Sequence, residues 1–320
     1  VWLLTIASLF GLSMTGDAFN LFVFLEISAL SSITLIALGA GQDRRALIAA
    51  YNYLIIGAIG ATFYVIGVGY LYAATGTLNL IDIIERLNEL GTNQAAITGL
   101  AFMLAGIMVK AGVFPVHIWL PAAYSYAPSA VSSLLSAVAT KVAIYYFARL
   151  LFGIFIDVTQ LIDFFLLFVL MPVSVIAIFY GTIAAIYQSD IKRLFALSSI
   201  AQIGYITFAF SLNSHSGISA GFIHIINHAL IKDALFMAVG IFAVGIGKRA
   251  TMVSLRGVGR QMPITFAGFV MAGLALIGVP LTAGFISKLY LFKAIFETGN
   301  GIFVAIIAIS SVLSVLYLWK

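Results

Sequence analysis

Apolar residues follow one another in ten long runs along the chain, and polar residues gather in the short segments between the runs. An α-helix of about 20 apolar residues matches the thickness of the hydrocarbon core of a bilayer. The pattern therefore predicts an all-α polytopic membrane protein, with the first span partial. The spans lie near residues 1–15, 19–39, 46–73, 97–126, 129–152, 164–187, 194–212, 217–247, 264–294 and 301–319.

One connection between spans is long, from Ala74 to Ala96. Within it the stretch TLNLIDIIERLNEL predicts a short amphipathic helix at the membrane surface, because its apolar residues recur at helical spacing. Composition supports the membrane class, since 63% of the residues are hydrophobic and only 8% are charged. A soluble domain carries about 25% charged residues.

Charge and cysteine content exclude several classes. The net charge of +5 comes from basic residues scattered between apolar spans, which is not the clustered patch of a nucleic-acid-binding protein. Cysteine is absent, which excludes disulfides, thiolate zinc sites and cysteine-ligated iron–sulfur clusters. The chain opens on Val1 inside an apolar run, so we expect it to be part of a longer protein.

Two of the spans are interrupted. The fourth contains Pro115 and Pro121, with Pro128 directly after it, and the ninth contains Pro280 and Gly284. Proline removes a backbone donor and clashes with the preceding turn, so no continuous helix can cross these sites. Interruptions five spans apart predict two five-helix repeats of opposite orientation, a recurring transporter plan with the working site at the broken helices. The repeats would cover residues 1–152 and 153–320.

Basic residues are unevenly divided between alternate loops. One set of loops holds eight of them, and the positive-inside rule places this set in the cytoplasm. The opposite set holds three, among seven acidic residues. The basic residues of the first set are Arg44, Arg45, Lys192, Arg193, Lys248, Arg249, Arg256 and Arg260. The opposite set contains Arg86, Arg149, Lys293, Asp17, Asp82, Glu85, Glu89, Asp157, Asp163 and Glu297.

Five charged residues lie inside predicted spans. A charge at the centre of a lipid-exposed helix costs about 2.5–3.5 kcal/mol, so such residues mark an ion or proton pathway or form structural ion pairs. Four buried lysines exceed what packing requires, which favours a pathway. We expect the single carboxylate to pair with a buried lysine. The five residues are Glu26, Lys110, Lys141, Lys232 and Lys288.

The eighth span carries two histidines and a lysine on nearly one helix face. His224, His228 and Lys232 lie at i, i+4 and i+8, and histidine can hold or pass a proton near neutral pH. A zinc site is the rival interpretation, but Ile225 stands where the metallopeptidase motif has glutamate. Histidines one turn apart on one helix also cannot sandwich a haem. His117, in the first interruption, is either a proton carrier or a hydrogen-bonded loop residue.

Five stretches, in this order, carry a family resemblance: TGDAFNLFVFLEISALSS, VKAGVFPVHIWLPAAYSYAPSAVSSLLSAVATK, DIKRLFALSSIAQIGY, HIINHALIKDALF and GVPLTAGFISK. They resemble the antiporter-like subunit family. That family comprises the D-type and A-type subunits of Mrp-type cation/proton antiporters, the related proton-pumping subunits of respiratory complex I, and their counterparts in membrane-bound hydrogenases. The family has fourteen helices, and the resemblance implies that this chain corresponds to the fourth through thirteenth.

The resemblance implies a role for each buried charge. Glu26 matches the family's essential fifth-helix glutamate and Lys110 the seventh-helix lysine that pairs with it, and together they would form a switch. Lys141 matches the eighth-helix lysine that connects the halves. The histidine row and Lys232 fall on the eleventh-helix polar axis, and Lys288 on the twelfth-helix lysine.

Asp233 departs from the family, which usually has a small residue there; it would either join the polar axis or face a loop. The stretches TGDAFNLFVFLE and TGTLNLIDI lean towards the D-type subunit of Mrp antiporters. The resemblance therefore implies a subunit that moves H+ and Na+ in a prokaryotic plasma membrane. Its partners would be other membrane subunits and the lipid bilayer. It would be no enzyme by itself, with no redox cofactor, metal or nucleic acid.

Three alternatives remain open. The nearest is a proton-pumping subunit of complex I or of a membrane-bound hydrogenase, which belongs to the same family. An intramembrane metalloenzyme belongs to a different class and would need a carboxylate at ligand spacing that the sequence lacks. A passive scaffold is disfavoured by the buried charges.

Overall fold

The chain folds into helices throughout the residues that the computed structural model describes, which are 1–90, 93–154, 159–247, 249–299 and 301–320. The first half contains α1 (Trp2–Met14), α2 (Ala18–Ala37), α3 (Arg45–Thr75), α4 (Leu80–Leu90), α5 (Gln94–Ala111), α6 (Trp119–Tyr126), α7 (Ser129–Leu134) and α8 (Thr140–Arg149). The second contains α9 (Thr159–Phe164), α10 (Met171–Ile186), α11 (Ile191–Ser211), α12 (His215–Ile246), α13 (Val258–Gln261), α14 (Pro263–Ile277), α15 (Ala283–Glu297) and α16 (Ile302–Trp319). Short π-helical turns join α7 to α8 and α9 to α10.

Each predicted span is built from helix within the described residues, with a non-helical break in the fourth and the ninth, and the prediction of an all-α polytopic membrane protein is confirmed. Among these residues, eight helical segments are long and apolar enough to cross a bilayer, and Trp2–Met14 and Pro263–Ile277 are shorter apolar helices. The helix predicted in the long connection is α4, which buries Leu80 and Ile83 on one side. Asp157 and Lys248, assigned above to opposite loops, lie outside the described residues.

The chain packs as two compact units. One contains Val1–Gly112 and Val138–Phe165, and the other contains Val113–Ala137 and Leu166–Lys320. The second unit therefore includes α6, which is the second half of the first broken span. These packing boundaries do not test the symmetry of the fold, so the inverted repeat divided after residue 152 stays a prediction.

Each broken span ends its first half at a glycine with left-handed backbone. α5 ends at Ala111 and Gly112 has a φ of 68°, while α14 ends at Ile277 and Gly278 has a φ of 87°. A residue without a Cβ atom adopts this conformation at little cost, and its amide closes the last turn of the helix. The predicted interruptions are confirmed. Their immediate cause is the glycine, and the prolines that follow keep the helix from continuing directly.

Two helices of the first unit, α3 and α5, touch backbone to backbone. A Cβ atom built on Gly106 would lie 2.4 Å from the carbonyl oxygen of Gly60, and one built on Gly67 would lie 2.5 Å from that of Gly99. In membranes, small residues at a helix interface permit close packing that larger side chains would block. This crossing holds α5, which carries Lys110, firmly against α3.

Candidate ion-translocation site

Lys110 lies in the last turn of α5, directly before the first break. Its ammonium donates a hydrogen bond to the Tyr53 hydroxyl of α3 at 3.0 Å and lies 5.4 Å from the centre of that ring. A cation at a helix C-terminus is stabilised by the free carbonyl groups there. The helix end and the tyrosine together hold this half-buried lysine at the break.

Glu26 is half-buried on α2, in the same unit as Lys110. Within the described residues its carboxylate forms no ion pair within 4.0 Å, with this lysine or with any other basic group. The structure therefore holds a conformation in which the two expected partners are not paired. Their pairing stays a prediction.

Lys141 is buried in α8, and its ammonium lies 3.3 Å from the Thr140 hydroxyl. The residues before it, Leu135–Ala139, form a π-helical turn. Such a turn accommodates an extra residue in the helix and is frequent at functional sites. The turn ends directly before Thr140 and Lys141, so it is part of the backbone that positions the lysine.

The histidine row of the second unit lies on one buried face of α12, as predicted. The Nδ1 atom of His224 lies 2.8 Å from Ser287 Oγ of α15, and its Nε2 atom lies 2.9 Å from Gln202 Oε1 of α11. The ring of His228 is nearly parallel to that of His224, with 6.1 Å between the ring centres. Both rings are buried inside the unit, and the ring of His224 is held among three helices.

Lys232 is completely buried on α12, with 0% exposure. Its ammonium donates hydrogen bonds to the Phe195 carbonyl oxygen at 2.7 Å and to Ser198 Oγ at 2.6 Å, both on α11. The same ammonium lies 5.4 Å from the centre of the Phe195 ring. A carbonyl, a hydroxyl and an aromatic face thus surround this cation.

Lys288 lies on α15 and reaches back across the second break. Its ammonium donates hydrogen bonds to the Ile277 carbonyl oxygen at 2.6 Å and to Ser311 Oγ of α16 at 2.9 Å. It also lies 5.0 Å from the centre of the Tyr205 ring. Ile277 is the last residue of α14, so the lysine neutralises the negative end of that helix.

The polar face of α11 was missed by sequence reasoning. Ser198, Gln202 and Tyr205 lie at i, i+4 and i+7, which places them on one side of a helix. In that order they contact the lysine of α12, the first histidine and the lysine of α15. All three belong to the DIKRLFALSSIAQIGY stretch, and their spacing within an apolar helix is the signal that could have identified them.

His117 is buried in the first break, between the rings of Phe114 and Tyr180, with 5.1 Å between its ring centre and each of theirs. Its Nδ1 atom has no hydrogen-bond partner among the described residues. The structure therefore places this histidine in an aromatic setting and not in the row on α12.

Asp233 projects from the exposed face of α12, in a stripe with Leu230 and Met237. The Ser133 hydroxyl donates a hydrogen bond to its carboxylate. It therefore lies neither in the buried row nor in a loop. In the described part of the chain, no three His, Asp or Glu side chains lie close enough together to hold a metal ion.

Lysines and histidines buried among apolar helices, next to two helix breaks, define a polytopic membrane protein with an ionisable interior. The chain belongs to the transmembrane family described as NADH:quinone oxidoreductase/Mrp antiporter, whose model matches residues 15–314. The resemblance found in the sequence is thereby confirmed.

Curated relatives come from both branches of this family. The N-type subunit of the NADH-quinone oxidoreductase of Desulforudis audaxviator is 41% identical over 320 residues, which are 100% of this chain and 63% of that protein. The D-type subunit of the Na+/H+ antiporter of Bacillus subtilis is 30% identical over 313 residues, which are 98% of this chain and 62% of that protein. The chain thus spans a little under two thirds of the length of these relatives.

Solved structures agree with this membership. A chain of the membrane-bound sulfane sulfur reductase, an archaeal respiratory membrane complex, has a TM-score of 0.89 and 34% identity, covering 99% of this chain and 64% of that one. A chain of the Mrp complex of Dietzia sp. DQ12-45-1b has a TM-score of 0.86 and 29% identity, covering 99% of this chain and 57% of that one.

Proposed function

We propose that this chain is a proton-translocating subunit of a larger membrane assembly. The observation that carries the proposal is the buried set of ionisable side chains in the second unit, held between α11, α12, α15 and α16. Lysine and imidazole take up and release protons, and ionisable groups buried in membrane helices mark proton pathways. Fixed hydroxyl and carbonyl acceptors keep these groups in place when they are charged.

The protonation state of Lys288 affects the contact across the second break. As a cation it attracts the Ile277 carbonyl at the end of α14, at 2.6 Å, and this hydrogen bond is charge-assisted. As a neutral amine it loses the charge that makes this bond strong. A proton that leaves Lys288 therefore loosens the contact across the break, and a proton that returns restores it.

The first unit supplies a switch in the same proposal. A carboxylate about 4 Å from an ammonium attracts it by about 4 kcal/mol at an effective dielectric constant near 20. When Glu26 approaches Lys110 it holds the proton on the lysine, and when it moves away the proton is free to leave. The absence of this ion pair among the described residues is compatible with the second of these two states. Lys141, which lies in the same unit, then accepts the proton.

The finer assignment is to the D-type subunit of an Mrp-type Na+/H+ antiporter. It is supported by the TGDAFNLFVFLE and TGTLNLIDI stretches and by the 30% identity with the D-type antiporter protein of Bacillus subtilis. The alternative is a proton-pumping subunit of a redox complex, favoured by the 41% identity with the N-type oxidoreductase protein. Mass spectrometry of the intact complex separates them, because antiporter subunits as partners support the first and iron–sulfur proteins support the second.

The proposal is tested by replacing Lys288 in the full complex, reconstituted in vesicles, and measuring proton flux. We expect Lys288→Met to reduce flux to the background level, because methionine fills similar space but carries no proton. Lys293→Met is the matched control, since that lysine lies on the same helix but is exposed and paired with Glu297 at 4.0 Å. Parental flux in the assembled Lys288→Met complex would overturn the proposal.

A further inference from the structure

The imidazole of His224 lies between two side chains that can form hydrogen bonds with it in both its neutral and its cationic state. Its Nε2 atom faces Gln202 Oε1 at 2.9 Å and its Nδ1 atom faces Ser287 Oγ at 2.8 Å. Ser287 Oγ also lies 3.0 Å from the carbonyl oxygen of Gly284, one turn earlier on α15. These four groups form one line of hydrogen bonds from α11 through α12 to the start of α15.

The single hydroxyl hydrogen of Ser287 cannot serve both of its neighbours. The amide oxygen of Gln202 only accepts, so Nε2 of His224 carries a hydrogen. When the imidazole is neutral, Nδ1 has no hydrogen and the Ser287 hydroxyl donates to it. When the imidazole is cationic, Nδ1 donates to Ser287 Oγ, and the hydroxyl hydrogen turns to Gly284 O. Each hydrogen of the imidazole ring nitrogens and of the Ser287 hydroxyl has an acceptor in both states, without any movement of heavy atoms.

The far end of this line lies beside the second break. Asn227, between the two histidines on α12, donates a hydrogen bond to the Ala283 carbonyl oxygen at 2.7 Å, so α12 also holds the first residue of α15. The residue after Ser287 is Lys288, whose ammonium crosses the break. A second hydrogen bond from a serine to a carbonyl of its own helix weakens and bends the helix locally. The proton on α12 thus changes the hydrogen bonding of the turn from which Lys288 projects.

We propose that Ser287 is a positioning residue. Its hydroxyl changes its hydrogen-bond partner when His224 gains or loses a proton, and this alters the hydrogen bonding in the first turn of α15. This inference rests on the proposed function, in which His224 carries a proton. The other titratable groups around the imidazole are Tyr205 of α11, at 5.8 Å between ring centres, His228 of α12 at 6.1 Å, and Lys288 of α15. The Ser287 hydroxyl touches both the imidazole and the backbone at the break.

The test measures the pH profile of proton flux in the reconstituted complex. In Ser287→Ala the cation loses a charge-assisted hydrogen bond and the neutral imidazole loses a weaker one, so protonation of His224 requires a lower pH. We expect the midpoint of the profile to move to acid by about one pH unit, which is a tenfold change in proton affinity. Ser287→Thr keeps the hydroxyl and restores the parental midpoint.

Two further variants separate this role from a general effect on packing. Ser211→Ala is the matched control, because that buried hydroxyl also donates to the carbonyl three residues earlier, at 2.7 Å, but forms no hydrogen bond with a histidine among the described residues. In a His224→Ala background, Ser287→Ala should add no further shift. An unchanged midpoint in Ser287→Ala, or an equal shift with and without His224, overturns the inference. The proposed function fails separately, by parental flux in Lys288→Met.

Discussion

Two lysines of this chain donate hydrogen bonds to a carbonyl oxygen at a helix end. Lys288 donates to the last residue of α14 at 2.6 Å, and Lys192 donates at the same distance to Ala127, the residue directly after α6. Lys192 was assigned to a loop from the sequence and lies in the first turn of α11. The sequence indicated which residues are charged, but their partners are largely backbone atoms. Every residue has the same backbone carbonyl group, so the sequence could not predict which carbonyl oxygen each lysine contacts.

The predicted pair of the first unit is tested at the same scale. Glu26→Gln and Lys110→Met should each abolish coupled transport and leave membrane insertion intact, because each removes a half-buried charge and adds none. Glu85→Gln is the control, since this carboxylate is exposed on α4. Flux is measured in vesicles and assembly by recovery of the intact complex. Either variant assembling normally and transporting at the parental rate contradicts the switch.

Helices were the most predictable elements of this chain. A run of apolar residues long enough to span a bilayer is expected to form a helix, because unpaired backbone groups are not tolerated in lipid. The breaks were also predictable, from proline and glycine. The π-helical turns were not, because a π turn differs from an α turn in its hydrogen-bond register and not in its composition. Three of them occur among the described residues, at Leu135–Ala139, Leu150–Ile154 and Phe165–Leu170.

The crossing of α3 and α5 makes a prediction about elements. Gly106→Ala would place a Cβ atom 2.4 Å from the Gly60 carbonyl oxygen, so the helices must separate, and such overpacking costs about 1–3 kcal/mol. Gly57 lies on α3, where an added Cβ atom would meet no atom within 4 Å. Gly57→Ala should therefore raise helix stability by about 0.5–1 kcal/mol. Thermal unfolding of the purified complex measures both. Equal unfolding temperatures for the two variants would show that the close contact is not tight.

At the scale of the whole molecule, the sequence predicts orientation through the distribution of basic residues. The chain has no native cysteine, so single cysteines can be introduced and labelled from one side at a time. We expect Arg44→Cys, Arg193→Cys and Arg256→Cys to react from the cytoplasmic side and Arg86→Cys from the opposite side, because all four positions are exposed. If the first three react from different sides, the order of the spans is wrong.

Because their backbones touch at glycine residues, α3 and α5 form one rigid pair of helices. Tyr53 lies seven residues before Gly60 on α3, and Lys110 lies four residues after Gly106 on α5, so the tyrosine–lysine hydrogen bond extends the same row of contacts. No layer of compressible side chains separates the two backbones there. The hydrogen bond of 3.0 Å between the ammonium and the hydroxyl therefore joins two helices that are already in close contact. We therefore expect movement at the first break to occur after Gly112, where α5 has ended, and not within α5.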